Sequence, residues 1–148
     1  AAVEAGLGLL PWSPLGGGYL SGKYTREQGP GAGTRLGDDP GRGMEAWERR
    51  GTERTWSVIA AVQRVAEARG ASMAEVALAW VTDRPGVTAT ILGVRTTEQL
   101  RANLGAADLH LSAAETAALD AASDPHPPDY PYGELGVDQR DRTLGWSG

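Results

Sequence analysis

Two short apolar runs, residues 7–12 (LGLLPW) and 87–93 (VTATILG), limit the fold most tightly, because they read as the chain's buried strands. The first ends at Pro14, since proline cannot continue a central strand. Helical patterns fill the space between and after them. The order is strand, loop, helix, helix, strand, helix, helix, which indicates a parallel α/β sheet. Two parallel strands offer too little sheet, because such sheets need both faces covered. The pattern therefore reads as part of a larger α/β unit. The opening AAVEAGLGLLPWSP, without an initiator Met and already in apolar rhythm, carries the same expectation.

The helices announce themselves by spacing and caps. Val58, Ile59, Val62, Val65 and Ala66 repeat at helical spacing over residues 55–69, and Gly70 closes that helix. Ser72 with Glu75, Thr96 with Gln99, and Ser112 with Glu115 each form a capping-box pattern. They predict helices over about 73–83, 97–104 and 113–122. Residues 25–51 are rich in Gly, Arg and Asp with no apolar period, which suits a functional cover loop or a disordered one. A Pro-rich tail begins at Ser123, so the chain divides into residues 1–122 and a tail, 123–148.

Composition removes several function classes. The net charge of -5 argues against a broad nucleic-acid surface. No apolar run is long enough to span a bilayer, so a cytoplasmic protein without membrane partners is the expectation. With no cysteine and only His110 and His126 as histidines, no metal site is expected.

Both apolar runs lead into residues that suit a phosphate. Gly16, Gly17 and Gly18 would let the backbone approach a ligand, with N–H groups free to point at an anion. Lys23, the single lysine among 14 basic residues, could add charge. The spacing is neither GxxxxGK[ST] nor GxGxxG, and a surface turn with a solvated lysine is the plain alternative. After the second run, Arg95 precedes a capped helix start, a place that favours anions, while Gln99 and Asn103 share one helix face. The plain alternative there is a helix cap with a surface arginine.

The stretches GLGLLPWSPLGGGYLSGKY, AEVALAWVTDRPGVTATILGVRTTEQLRANLGA and HLSAAETAALDAAS together resemble the aldo-keto reductases, above all the branch with the voltage-gated potassium channel β subunits. The resemblance implies the C-terminal part of a TIM (β/α)8 barrel: the last two βα units, the C-terminal helix and the tail, incomplete as a barrel. It implies NADP(H) as cofactor. Trp12 would stack on the nicotinamide. Ser13, Pro14, Leu15, Gly16 and Gly17 would follow its ribose and the pyrophosphate, with Lys23 nearby. Arg35, in GTRLG, looks like the arginine of the loop that closes over the cofactor. Gly93, Arg95, Gln99 and Asn103 would hold the 2′-phosphate and adenine. Ala102 departs from the family, where an acidic residue often precedes that asparagine, and this weakens one adenine contact.

The family reduces aldehydes and ketones by hydride transfer, with a tyrosine, lysine, carboxylate and histidine that belong to the first half of its barrel. They have no counterpart here, so no catalytic residue is assigned and the isolated chain is expected to be inactive. Tyr130 and Tyr132 read as part of a C-terminal flap, His110 as structural, His126 as solvated, and Trp56 and Trp80 as core. A small carbonyl substrate is implied for the full-length protein, and self-association is expected of the exposed part. The alternatives are a non-catalytic nucleotide-binding or regulatory module like the channel β subunits, and a degenerate gene product without a ligand.

Overall fold

A computed structural model of the chain describes residues 2–39, 41 and 47–125. Six α-helices are found among them: α1 (Arg35–Asp38), α2 (Trp47–Arg50), α3 (Glu53–Arg69), α4 (Met73–Thr82), α5 (Thr97–Leu104) and α6 (Ala113–Ser123). Two 3-10 turns, Gly16–Ser21 and Gly105–Asp108, complete the regular elements.

The helix limits follow from local chemistry. The Thr52 hydroxyl accepts from the Thr55 N–H to start α3, and Gly70, at φ 63°, donates its N–H to the carbonyls of Ala66 and Glu67 to end it. Both capping boxes at Ser72–Glu75 and Ser112–Glu115 form with their two reciprocal bonds. At Thr96 only half of the box forms. Thr96 accepts from Gln99 N–H, but the Gln99 side chain turns to the Arg95 N–H (2.9 Å).

Helix α3 packs against α4 and α6. Its buried stripe of Ala61, Val62, Val65 and Ala66 meets Val76 of α4 and Leu119 of α6. Each large apolar side chain buried there stabilises the fold by about 1.5–3 kcal/mol. Arg84 stacks over the Trp80 ring at 4.1 Å and forks onto the Asp120 carboxylate, which also accepts from Trp80 Nε1 (2.8 Å). This ties the end of α4 to α6. Trp80 is thus half-buried at the rim of the core.

The two apolar runs do pair in parallel, but through two isolated bridges, Leu9 with Val87 and Trp12 with Ile91. Leu9 N–H donates to Gly86 O (2.7 Å), Thr88 N–H to Leu9 O (2.9 Å) and Ile91 N–H to Pro11 O (2.9 Å). No longer strand is found among the described residues, where these runs have only each other to pair with. Leu7, Leu9, Leu10, Trp12 and Ile91 are exposed. Among the described residues no helix is long and apolar enough to cross a membrane.

The described residues among 25–51, expected as either a functional cover loop or a disordered one, include regular elements that the sequence pattern did not announce. They carry α1 and α2, and Leu36 within them is fully buried.

Candidate functional site

The turn after the first apolar run has a backbone that glycine makes possible. Gly16, Gly17, Gly18 and Gly22 all have positive φ (56°, 70°, 103° and 77°), a region that side chains with a Cβ rarely enter. Ser13 joins them at φ 54°. The expectation that the glycine N–H groups point freely outward is corrected at two positions. Gly16 N–H is donated to Ser13 O and Gly18 N–H to Leu15 O, both at 2.9 Å, because so tight a turn closes its own bonds. What Gly18 provides is space. A Cβ there would stand 2.3 Å from Lys23 Cε and 2.6 Å from Nζ, so the lysine side chain lies back across the bare face of the glycine. Its ammonium is also 5.0 Å from the Tyr24 ring centroid, within cation–π range.

A second wall comes from α1. Thr34 caps it by accepting from Gly37 N–H, and Asp38 Oδ1 accepts from Gly33 N–H (2.8 Å), which curls residues 33–38 into a compact loop. The third wall is the start of α5. Arg95 reaches from there to the α1 loop, donating from Nη1 to Gly33 O (3.0 Å) and lying 3.6 Å from Asp38 Oδ2.

These walls enclose an open cleft of about 490 Å³. Ser13, Pro14, Leu15, Gly17 and Lys23 line it from the turn, Arg35 from α1, and Gly93, Arg95, Gln99 and Asn103 from the α5 side. Trp12 and Gly16, also singled out from the sequence, do not line it. Trp12 is 71% exposed beside the bridge to Ile91. Gly18, read with Gly16 and Gly17 as a place of close ligand approach, lines the cleft too, as do Gly33 and Thr34, which were not singled out for it. Gly18 was legible in the glycine run, and Thr34 as the hydroxyl residue that starts α1.

Charge distinguishes this cleft from the rest of the chain. Among the described residues its lining holds three cations, Lys23, Arg35 and Arg95, and no acid, in a protein of net charge -5. A concave site with one sign of charge raises the local concentration of small anions. Its size is that of an ordinary small-molecule site.

Behind the turn lies an aromatic cluster that the sequence did not reveal. Tyr19, Tyr24, Leu36 and Ile59 are buried together, with Trp47 and Trp56 against them. Burial, reinforced by the neighbouring Tyr24 and opposed by Arg50, pushes the Tyr19 phenol up to about 12. Trp56 is therefore a half-buried member of this cluster. The His110 ring is largely exposed, 3.8 Å from Asp83, while its backbone carbonyl accepts from Arg69. His126, Tyr130 and Tyr132 lie outside the described residues.

The model of the aldo/keto reductase family matches residues 1–124. The chain is 36% identical over 111 residues to YrpG of Bacillus subtilis (strain 168), named an uncharacterized oxidoreductase, covering 75% of this chain and 30% of that protein. An oxidoreductase of Mycobacterium bovis, also uncharacterized, is 38% identical over 115 residues, covering 78% of this chain and 33% of its own length. A probable voltage-gated potassium channel subunit beta of Oryza sativa subsp. japonica is 32% identical over 104 residues, covering 70% of this chain and 31% of its own length. The chain thus spans about a third of the length of these curated relatives. With the family model matched over most of its length, the chain belongs to the aldo/keto reductase family.

Proposed function

We propose that the chain is the NADP(H)-binding, C-terminal portion of an oxidoreductase that reduces aldehydes or ketones to alcohols. The observation that supports this most is the meeting of Lys23, Arg35 and Arg95 in one cleft whose described lining holds no acid, between a glycine turn and the N-terminus of α5. A dinucleotide carries its phosphates some distance apart, and these cations come from three separate segments. In this reading Lys23, folded over Gly18, faces the pyrophosphate, while Ser13, Pro14, Leu15 and Gly17 follow the nicotinamide half. Gly16 supports the turn from outside the cleft, and Trp12 offers its exposed ring to the nicotinamide. Arg35 closes the middle of the site. Arg95 takes the 2′-phosphate, with Gly93, Gln99 and Asn103 around the adenosine.

When bound, the cofactor supplies a hydride to the carbonyl carbon. This chain's residues bind and orient it, and Gln99 fixes the Arg95 backbone through the bond to its N–H. The proton-donating group of the family has no counterpart in this sequence, so the chain alone is proposed to bind without turnover. A small carbonyl compound is the substrate proposed for the full-length protein, with no nucleic-acid partner, and the setting proposed is cytoplasmic.

Calorimetric titration with NADPH and NADH tests this. NADPH is expected to bind more tightly, and Arg95→Ala is expected to cost NADPH about 1.5–3 kcal/mol, the scale of a lost charged hydrogen bond, while leaving NADH little changed. Equal affinity for the two cofactors in the wild-type chain would remove the role given to Arg95. A second reading, a non-catalytic regulatory module, is favoured by the match to the rice channel subunit. It shares the binding prediction and differs in expecting no turnover from the full-length protein either.

A further inference from the structure

We infer that Leu36 and Trp47 are positioning residues that fasten the Arg35 wall of the cleft to the rear of the glycine turn, so that wall and turn hold or release a ligand as one unit. Leu36 is fully buried, yet its neighbour Arg35 lines the cleft and Asp38, two residues on, meets Arg95. The loop therefore has a front held by charge and a back held by packing.

The back is an aromatic seat. Trp47 of α2 stacks on Tyr19, with ring centroids 5.1 Å apart and an interplanar angle of 10°, and meets Tyr24 edge-on at 5.7 Å. Tyr19 OH donates to Trp47 O (3.1 Å) and Tyr24 OH to Gly17 O (3.3 Å). Gly17 lines the cleft. The Gly17 carbonyl is thus bonded to Tyr24, Tyr24 and Tyr19 meet Trp47, and Leu36, next to Arg35, is buried in the same cluster that Trp47 packs against. With its phenol pushed up to about 12 by burial, Tyr19 remains a neutral donor across ordinary pH, so the bond to Trp47 persists. Stacked and edge-on aromatic pairs of this kind have defined geometries, which makes the seat a discrete attachment rather than a diffuse contact.

Hydrogen exchange on the full chain tests the attachment without any ligand. Gly33, Gly37 and Asp38 each donate their N–H within the α1 loop, so their exchange reports on that loop. Trp47→Ala is expected to raise exchange there about tenfold, while α4 and α6 stay unchanged. Trp47→Phe, which keeps a ring on Tyr19, is expected to restore most of the protection. Unchanged exchange at residues 33–38 in Trp47→Ala would overturn the inference. Should that variant loosen α3, α4 and α6 as well, Tyr19→Phe carries the test, since it removes only the bond to Trp47 O. A rise confined to residues 33–38 and 47–50 supports the attachment, and no rise overturns it.

The ligand arm rests on the cofactor reading above. NADPH is expected to leave Trp47→Ala about tenfold faster than wild type or Trp47→Phe. Dissociation at the wild-type rate would overturn the proposed control of release. Coupled exchange with no NADPH binding to any of the three proteins would instead uphold the attachment and sink the cofactor reading.

Discussion

At the residue scale, the three glycines and the lone lysine form one device. Gly18 leaves the space in which the Lys23 side chain lies, and its φ of 103° is one that a residue with a Cβ adopts only under strain. Gly18→Ala is expected to lower stability by about 1–3 kcal/mol in urea unfolding and to weaken NADPH binding by displacing the ammonium. An alanine variant of wild-type stability and affinity would show that neither the backbone angle nor the space matters. Much of this was legible, since a GGG run followed by a solitary lysine departs from an arginine-rich composition. The internal bonding of Gly16 and Gly18 was not, because it depends on the φ and ψ of neighbouring residues and not on their identities.

Among the elements, the helices were readable because caps are local chemistry. Ser72, Thr96 and Ser112 each accept from the residue three on, as their spacing implies. α2 and the aromatic seat were hidden for the opposite reason. Tyr19, Leu36, Trp47 and Ile59 are far apart in sequence and share no period, so only tertiary packing unites them. The element scale also sets the acid response. The Arg84 guanidinium, helped by Trp80, holds the Asp120 carboxyl below its ordinary 3.8, and bonds from Ser72 and Ser112 hold Glu75 and Glu115 below 4.5. Each carboxylate is lowered in the folded state, so its contribution is complete above the unfolded value and is lost as pH falls through the folded one. Unfolding followed by circular dichroism should show stability falling below about pH 4.5, with Asp120→Asn flattening the lowest part of that limb. A stability profile flat from pH 6 to pH 3 would contradict this.

For the whole molecule, the α/β order was legible but the sheet was not fully realised. The two apolar runs pair in parallel at only two bridges, and Leu7, Leu9, Leu10, Trp12 and Ile91 remain open to solvent. Exposed apolar surface of this kind favours association, so sedimentation velocity of the 148-residue chain should show a sedimentation coefficient that rises with concentration. A single monomeric species over a hundredfold concentration range would contradict that. In the proposed function the cleft between the glycine turn, α1 and α5 receives a phosphorylated dinucleotide. The most direct test is to map amide chemical shifts of the chain during titration with NADP+. Shifts centred on Gly17, Gly18, Lys23, Thr34, Arg35 and residues 93–99 are expected, with α6 unmoved. Saturating NADP+ that leaves those amides in place, or that shifts another face of the protein, would contradict the proposal.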